Sequence, residues 1–169
     1  MPSSLEKQLQ LIVECLDRHG ISYVVIGGVA AMLRDIPIKE TFDVDIVPDR
    51  GQQNLRALAH ALQEMEARLR VPNEPEGVPI PLDHRTFKDV STLTFVTRFG
   101  PLDVLLEPSG SRGYKDLLQR AQTVERFGME IAVASTEDLI AMKRAAGREK
   151  DAVHLRILLQ FLSDEESRD

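Results

Sequence analysis

The sequence predicts an α+β (mixed α/β) fold, with a small mixed or antiparallel β-sheet flanked by about five helices and a helical C-terminus. Three observations predict it. Segments with apolar residues every three or four positions alternate with short runs of β-branched and aromatic residues, so helices and strands are interleaved. Glycine and proline punctuate these segments, which sets the turns. The 169 residues, 43% hydrophobic and 28% charged, suit one globular unit, since a domain takes roughly 100–200 residues. We expect a single domain over residues 1–163, followed by an acidic tail, 164–169.

Ser3 stands three residues before Glu6, the spacing of a capping box. Leu5, Leu9, Ile12, Val13 and Leu16 then share one helical face, and Gly20 stops the helix. Residues 22–26 read as a buried strand that runs into Gly27-Gly28, and residues 29–33 read as a helix. Residues 42–47 form a second strand, ended by Pro48. Asp49 is placed to cap a helix from about 51 to 69, with Leu55, Leu58, Leu62, Met65 and Leu69 inward. Four of the nine prolines fall between Pro72 and Pro81, so this stretch is expected to be the longest loop, without regular structure. Residues 92–98 and 102–107 flank Phe99-Gly100-Pro101 as a hairpin. Residues 114–122 look helical, and 123–127 and 129–134 flank Gly128 as a second hairpin. Ser135 caps a helix through Ala146, with Glu137 and Asp138 in its first turn. Gly147 breaks it, and a last helix spans 148–162.

Lysine plus arginine number 21 and aspartate plus glutamate 27, a net charge of −6. That excludes a broadly cationic nucleic-acid binder but leaves room for a local basic patch. Residues 143–156 hold five cations against two acids. A single cysteine, Cys15, excludes an internal disulfide framework and a cysteine-based zinc site. No apolar run approaches the roughly 18 residues of a membrane helix. The N-terminus has neither the basic nor the apolar region of a signal peptide, so a cytoplasmic protein without membrane contact is expected.

The segment richest in chemistry runs from Ile26-Gly27-Gly28 to Asp43-Val44-Asp45. On a strand, Asp43 and Asp45 project to one face, and Val44 and Ile46 to the other. Two adjacent carboxylates raise each other's pKa unless a cation lies between them, and Mg²⁺ prefers such oxygen donors. The same pair on a solvated strand face costs little. Gly27-Gly28 would let a backbone approach a ligand closely and offer N–H groups to phosphate, although a tight connection alone also uses such a pair. Asp103 is isolated among Leu102, Val104, Leu105 and Leu106. It either faces water on an edge strand or joins the pair to make a three-carboxylate, two-metal site.

In this order, these residues resemble the polymerase-β-type nucleotidyltransferase superfamily, whose signature is a glycine pair, then two carboxylates spaced by one residue, then a third on a later strand. The resemblance implies a nucleotidyltransferase-like fold. It implies metal ligation by Asp43 and Asp45, activation of an acceptor hydroxyl or metal ligation by Asp103, and triphosphate binding at Gly27 and Gly28, with Mg²⁺ or Mn²⁺ as cofactor. The segment 135–155 resembles the small abortive-infection AbiEii-type nucleotidyltransferases, with Lys143, Arg148, Lys150 and Asp151 at the matching positions. Together the resemblances span roughly residues 20–160. They assign Lys143 to catalysis and nucleotide binding, and Arg148 and Asp151 to nucleotide binding. Val29 stands where the superfamily commonly has serine, which shifts the triphosphate grip to backbone N–H groups and cations such as Lys143. His154 stands where toxin-like members usually have an acid.

The activity so implied is transfer of a nucleoside monophosphate from an NTP to a hydroxyl of RNA (such as tRNA), a protein or a small molecule. The implied setting is a bacterial toxin with a cognate antitoxin. The alternative is a catalytically degenerate nucleotide-binding or regulatory module on the same fold. By spacing, Lys143 and Gly147 share a helical face, as do Lys150 and His154, while Arg148 and Asp151 can form a local ion pair. His19, His60 and His84 read as surface or helix-end histidines, and Cys15 as a packed residue of the first helix. Arg34, Lys39, Arg112, Tyr114 and the polar Ser109-Gly110-Ser111 loop are secondary candidates for contact with phosphate, base or acceptor.

Overall fold

A computed structural model of the protein describes residues 4–39 and 43–169. Ser3, which would close the first capping box, and Phe42 lie outside the described residues. The first helix, α1 (Ser4–Arg18), buries Leu9, Ile12, Val13, Cys15 and Leu16, the face expected from their spacing. Next come β1 (Tyr23–Ile26), α2 (Gly27–Leu33), β2 (Val44–Pro48) and α3 (Gln52–Glu64). The remaining elements are β3 (Arg68–Val71), β4 (Glu74–Val78), β5 (Thr92–Thr97), β6 (Gly100–Leu105), α4 (Tyr114–Arg120), β7 (Gln122–Arg126), β8 (Met129–Val133), α5 (Thr136–Ala146) and α6 (Ala152–Glu166).

The strands form one eight-stranded sheet in the order β4-β3-β5-β6-β2-β1-β8-β7. It is mixed: β2 runs antiparallel to β1 and parallel to β6, and β1 runs parallel to β8. Both expected hairpins are present, as β5–β6 and β7–β8. In the central strands, Val44, Ile46, Leu102 and Val104 are buried. Alternation therefore turns Asp45 and Asp103 to the opposite face. α2 packs on β1, β2 and α5, which brings helix material to the edge of the carboxylate face.

The structure corrects three local expectations. The proline-rich stretch contains two paired strands, β3 and β4, rather than an irregular loop. Pro75 sits in β4, at the sheet's outer edge, where a missing N–H removes no inner ladder bond. Asn73 turns the hairpin at φ 66°, a conformation asparagine tolerates. Secondly, α3 ends at Glu64, not near Leu69. Glu66 adopts φ 52°, and Arg68 and Leu69 pair with Val96 and Phe95 of β5. The apolar spacing continued past the helix end by coincidence, and long-range strand pairing overrode it. Thirdly, Asp49 closes a turn by accepting from the Gly51 N–H at 2.8 Å, while Gly51 itself occupies the N-cap of α3.

The C-terminal helix is preceded by a short 3₁₀ turn, Glu149–Asp151, and continues through Glu166 into the acidic segment. Glu165 accepts a 3.0 Å ion pair from Arg34 and a 3.1 Å bond from Thr136. Arg34 therefore serves to join α2, α5 and α6. Ser135 caps α5 by accepting from the Asp138 N–H at 3.1 Å, and Gly147 ends the helix at φ 60°, both as expected. Among the described residues, no helix is long and apolar enough to cross a membrane.

Candidate active site

Strand register builds the site. Asp45 of β2 lies opposite Ile26 of β1 on one side and Asp103 of β6 on the other. Asp43 immediately precedes β2 and lies two residues from Asp45, so the three carboxylates gather on one face. The chain leaves Ile26 directly into Gly27 at φ +71°. A Cβ at Gly27 would lie 2.2 Å from Asp45 Oδ2. Glycine is thus demanded twice there, by the backbone conformation and by the Asp45 carboxylate pressed against it.

This cluster is electrostatically strained. Burial, then the charge and hydrogen bond of Asp103, then the charge of Asp43, hold Asp45 well above the ordinary carboxylate range, and Lys143 opposes the shift. Burial and the Asp43 charge likewise raise Asp103, against the pull of Arg70 and of the Asp45 hydrogen bond. Asp103 Oδ1 is buried without a hydrogen-bond partner among the described residues. An orphaned buried oxygen, beside two further carboxylates that repel it, is a donor set suited to a hard divalent cation.

The cations expected nearby are organised by Asp151, which is only 5% exposed. Its Oδ1 accepts from Lys143 Nζ at 2.9 Å and its Oδ2 from Arg148 Nε at 2.7 Å. Burial would raise its pKa, but these two partners outweigh it and hold the carboxyl below its usual range. The local Arg148–Asp151 pair expected from spacing is present. Lys143 Nζ also lies 3.5 Å from His154 Nδ1. Lys150 is exposed, and its spacing from His154 is not used for a hydrogen bond among the described residues, where His154 Nδ1 lies near Lys143. Val29 is fully buried in the core, so the residue in the serine position packs inward.

Two cavities flank the carboxylates. The first, about 400 Å³, is lined by Gly27, Gly28, Asp45, Lys143 and Arg148 on its polar side and by Ile38, Leu139, Met142 and Leu158 on its apolar side. The second, about 480 Å³, opens beside Asp43 and includes Arg70, Asn73, Glu74, Val96 and Pro101. Arg70 escaped the sequence reading. Its Nη1 stands 3.5 Å from Asp43 Oδ2. No local motif marks it, because the strand that carries it forms only through pairing with β4 and β5.

The secondary candidates are scattered. Ser109 reaches the first cavity, while Arg112 and Tyr114 line a separate one. His60 and His84 are exposed, as expected. His19 lies at the end of α1, as expected, and bonds Glu64 at 2.6 Å beside buried Cys15; the ligand atoms of these three lie within 4.8 Å of one another. One cysteine therefore does not by itself exclude a mixed-donor metal group. Here, however, Glu64 is already held by His19 and by Arg18 at 2.7 Å.

No curated protein matches the chain at the level of sequence. Solved structures do resemble it. The lincomycin-bound lincosamide antibiotic adenylyltransferase LnuA superposes with a TM-score of 0.60 at 17% identity, over 90% of this chain and 94% of that one. ANT(2'')-Ia in complex with adenylyl-2''-tobramycin superposes with a TM-score of 0.63 at 13% identity, over 97% and 92%. At such identities the likeness establishes a shared nucleotidyltransferase fold. The family described as nucleotidyltransferases of unknown function (DUF6036) matches residues 3–160, and the chain belongs to that family.

Proposed function

We propose that this protein transfers a nucleoside monophosphate from an NTP to an acceptor hydroxyl and releases pyrophosphate, using Mg²⁺ or Mn²⁺ held by Asp43, Asp45 and Asp103. The observation that carries this is the three-carboxylate cluster with its unpartnered Asp103 oxygen, set between a cation-lined cavity and a second open one. Bound there, the metal would supply charge neutralisation at the α-phosphate and at the attacking oxygen. Lys143 and Arg148, oriented by Asp151, take the triphosphate in the first cavity. Gly27 and Gly28 leave room for it beside Asp45. Asp103 accepts the proton of the acceptor hydroxyl. The oxygen so freed bonds to the α-phosphorus as the bond to the β-phosphate oxygen breaks, and pyrophosphate departs with the electron pair.

The AbiEii-like relationship belongs to the same proposal. It is supported by the Lys143–Asp151–Arg148 arrangement, and it carries with it a toxin role, a cytoplasmic setting, a cognate antitoxin, and RNA or protein as acceptor. Buried Val29 favours a second reading, a module that binds nucleotide without transferring it. One experiment separates the two. Protein, α-³²P-labelled NTPs and Mg²⁺ are incubated with cellular RNA, protein and small-molecule fractions, alongside calorimetric NTP titration. Labelled product that Asp43→Ala and Asp45→Ala abolish supports transfer, and NTP binding without product supports the module. Full activity in both variants would refute the assignment of these carboxylates.

A further inference from the structure

The row of side chains that crosses the sheet extends beyond the carboxylates. Arg68 and Leu69 pair with Val96 and Phe95, and Arg70 follows them in β3, at the irregularity between Leu69 and Val71 in the pairing with β4. Thr94 pairs with Asp103, and Asp103 with Asp45. Alternation places Thr94, Asp103 and Asp45 on one face, and Arg70 reaches that face through its 3.5 Å contact with Asp43 Oδ2 and its charge acting on Asp103. The row therefore begins with a guanidinium, passes a hydroxyl and two carboxylates, and ends at the Gly27 turn. Lys143 and Arg148 line the cavity at one end, and Arg70 lines the cavity at the other.

Arg70 is incompletely used. Its contact with Asp43 is long, 3.5 Å, and its side chain is 37% exposed. Its electrostatic partners are Asp43 and, through space, Asp103. Both belong to the cluster assigned to the metal. When a divalent cation takes up their charge, the guanidinium faces positive charge, and Glu74, exposed, is the remaining acid among the described residues that line the cavity. An anion entering the second cavity would restore the balance. The planar guanidinium suits two phosphate oxygens at once. The triphosphate of the NTP has its own cations across the cluster.

We propose that Arg70 binds a phosphate group of the acceptor, so the acceptor is a hydroxyl-bearing phosphate ester and not a polycation. This rests on the transfer reading given above. In the reaction, that phosphate is a handle and stays intact. The acceptor's neighbouring hydroxyl gives its proton to Asp103 and its oxygen to the α-phosphorus, and pyrophosphate leaves. A terminal RNA nucleotide and a phosphorylated sugar both carry this chemistry, and the probes below distinguish the two.

The test uses the full chain with Mg²⁺ and five probes: the dinucleotide ApA with its phosphate-free counterpart adenosine, ribose 5-phosphate with its phosphate-free counterpart ribose, and tobramycin. Binding is read by calorimetry and transfer by label from α-³²P-NTP. At least one phosphate probe should bind at least tenfold more tightly than its own phosphate-free counterpart. Arg70→Gln should weaken that probe, and raise its KM where transfer occurs, by roughly tenfold to a hundredfold, the size of a lost charge-assisted bond. The KM for NTP should stay within about twofold, and Arg70→Lys should recover part of the loss. Preference for ApA identifies an RNA end, and preference for ribose 5-phosphate a phosphorylated sugar. Equal binding of both phosphate probes and their phosphate-free counterparts overturns the proposal, as does unchanged phosphate binding in Arg70→Gln or preferential use of tobramycin. If wild-type protein binds a phosphate probe through Arg70 but transfers no label, the transfer reading fails while the Arg70 site stands.

Discussion

Gly27→Ala tests the geometry most sharply, because two costs can be separated. At φ +71° an alanine pays the left-handed penalty, about 1–2 kcal/mol. That corresponds to a fall of about 2–8 °C in melting temperature for a chain of this size. The new Cβ would also sit 2.2 Å from Asp45 Oδ2. Ordinary contact begins at 3.4 Å, so the carboxylate must retreat by about 1.2 Å, and a displacement of about 1 Å at a reacting centre can cost on the order of a hundredfold. Gly128→Ala is the control. It has φ +74° and nothing within 4 Å of its Cβ position, so it carries the backbone penalty alone. Thermal melts, Mn²⁺ binding by electron paramagnetic resonance and label transfer are measured on both. The two variants should lose similar stability, and only Gly27→Ala should lose Mn²⁺ affinity and about a hundredfold in kcat/KM. If Gly27→Ala binds and transfers like Gly128→Ala, the pressed contact between Gly27 and Asp45 has no bearing on function.

Three further outcomes follow from named groups. Asp45 and Asp103 titrate above their unfolded values, so the folded state holds more protons than the unfolded one above about pH 4. Stability of the metal-free protein should fall as pH rises from there through the raised values. Melts in EDTA at several pH values read this. Asp45→Asn should flatten the profile, and Mg²⁺ addition should release protons. Asp151→Asn removes the shared acceptor of Lys143 and Arg148. It should raise the NTP KM by roughly tenfold, the size of a weakened charge-assisted contact, with Mn²⁺ affinity little changed. A loss of Mn²⁺ affinity as large as the loss for NTP would instead place Asp151 in the metal site. Burial, then the Glu64 charge, pushes the Cys15 thiol up to about 11. Native protein should resist iodoacetamide at pH 8 and be alkylated only on unfolding, as read by mass spectrometry, and rapid native labelling would contradict that.

How much of this was legible in the sequence depends on distance along the chain. Asp43 and Asp45 could be paired because strand alternation is local. The Arg148–Asp151 bond is three residues long, and Gly147 signalled the bend that lets Asp151 also reach Lys143. Asp103 was identified as an isolated acid, but its place opposite Asp45 is set by β2–β6 pairing across 58 residues of chain, which no local pattern encodes. The hairpin of β3 and β4 was hidden because prolines count against strands unless the strand is known to be an edge. Losing β3 also concealed Arg70. The continuation of α6 past residue 162 depends on Arg34 and Glu165, 131 residues apart. The grouping of Glu64 with Cys15 depends on a contact between helices 49 residues apart.

The most direct test of the three-carboxylate centre is anomalous scattering from crystals soaked in Mn²⁺ with a non-hydrolysable NTP. The expected result is a manganese peak within bonding distance of Asp43, Asp45 and Asp103, with the triphosphate reaching Lys143 and Arg148. A peak at Cys15, His19 and Glu64 with none among the three aspartates would contradict it.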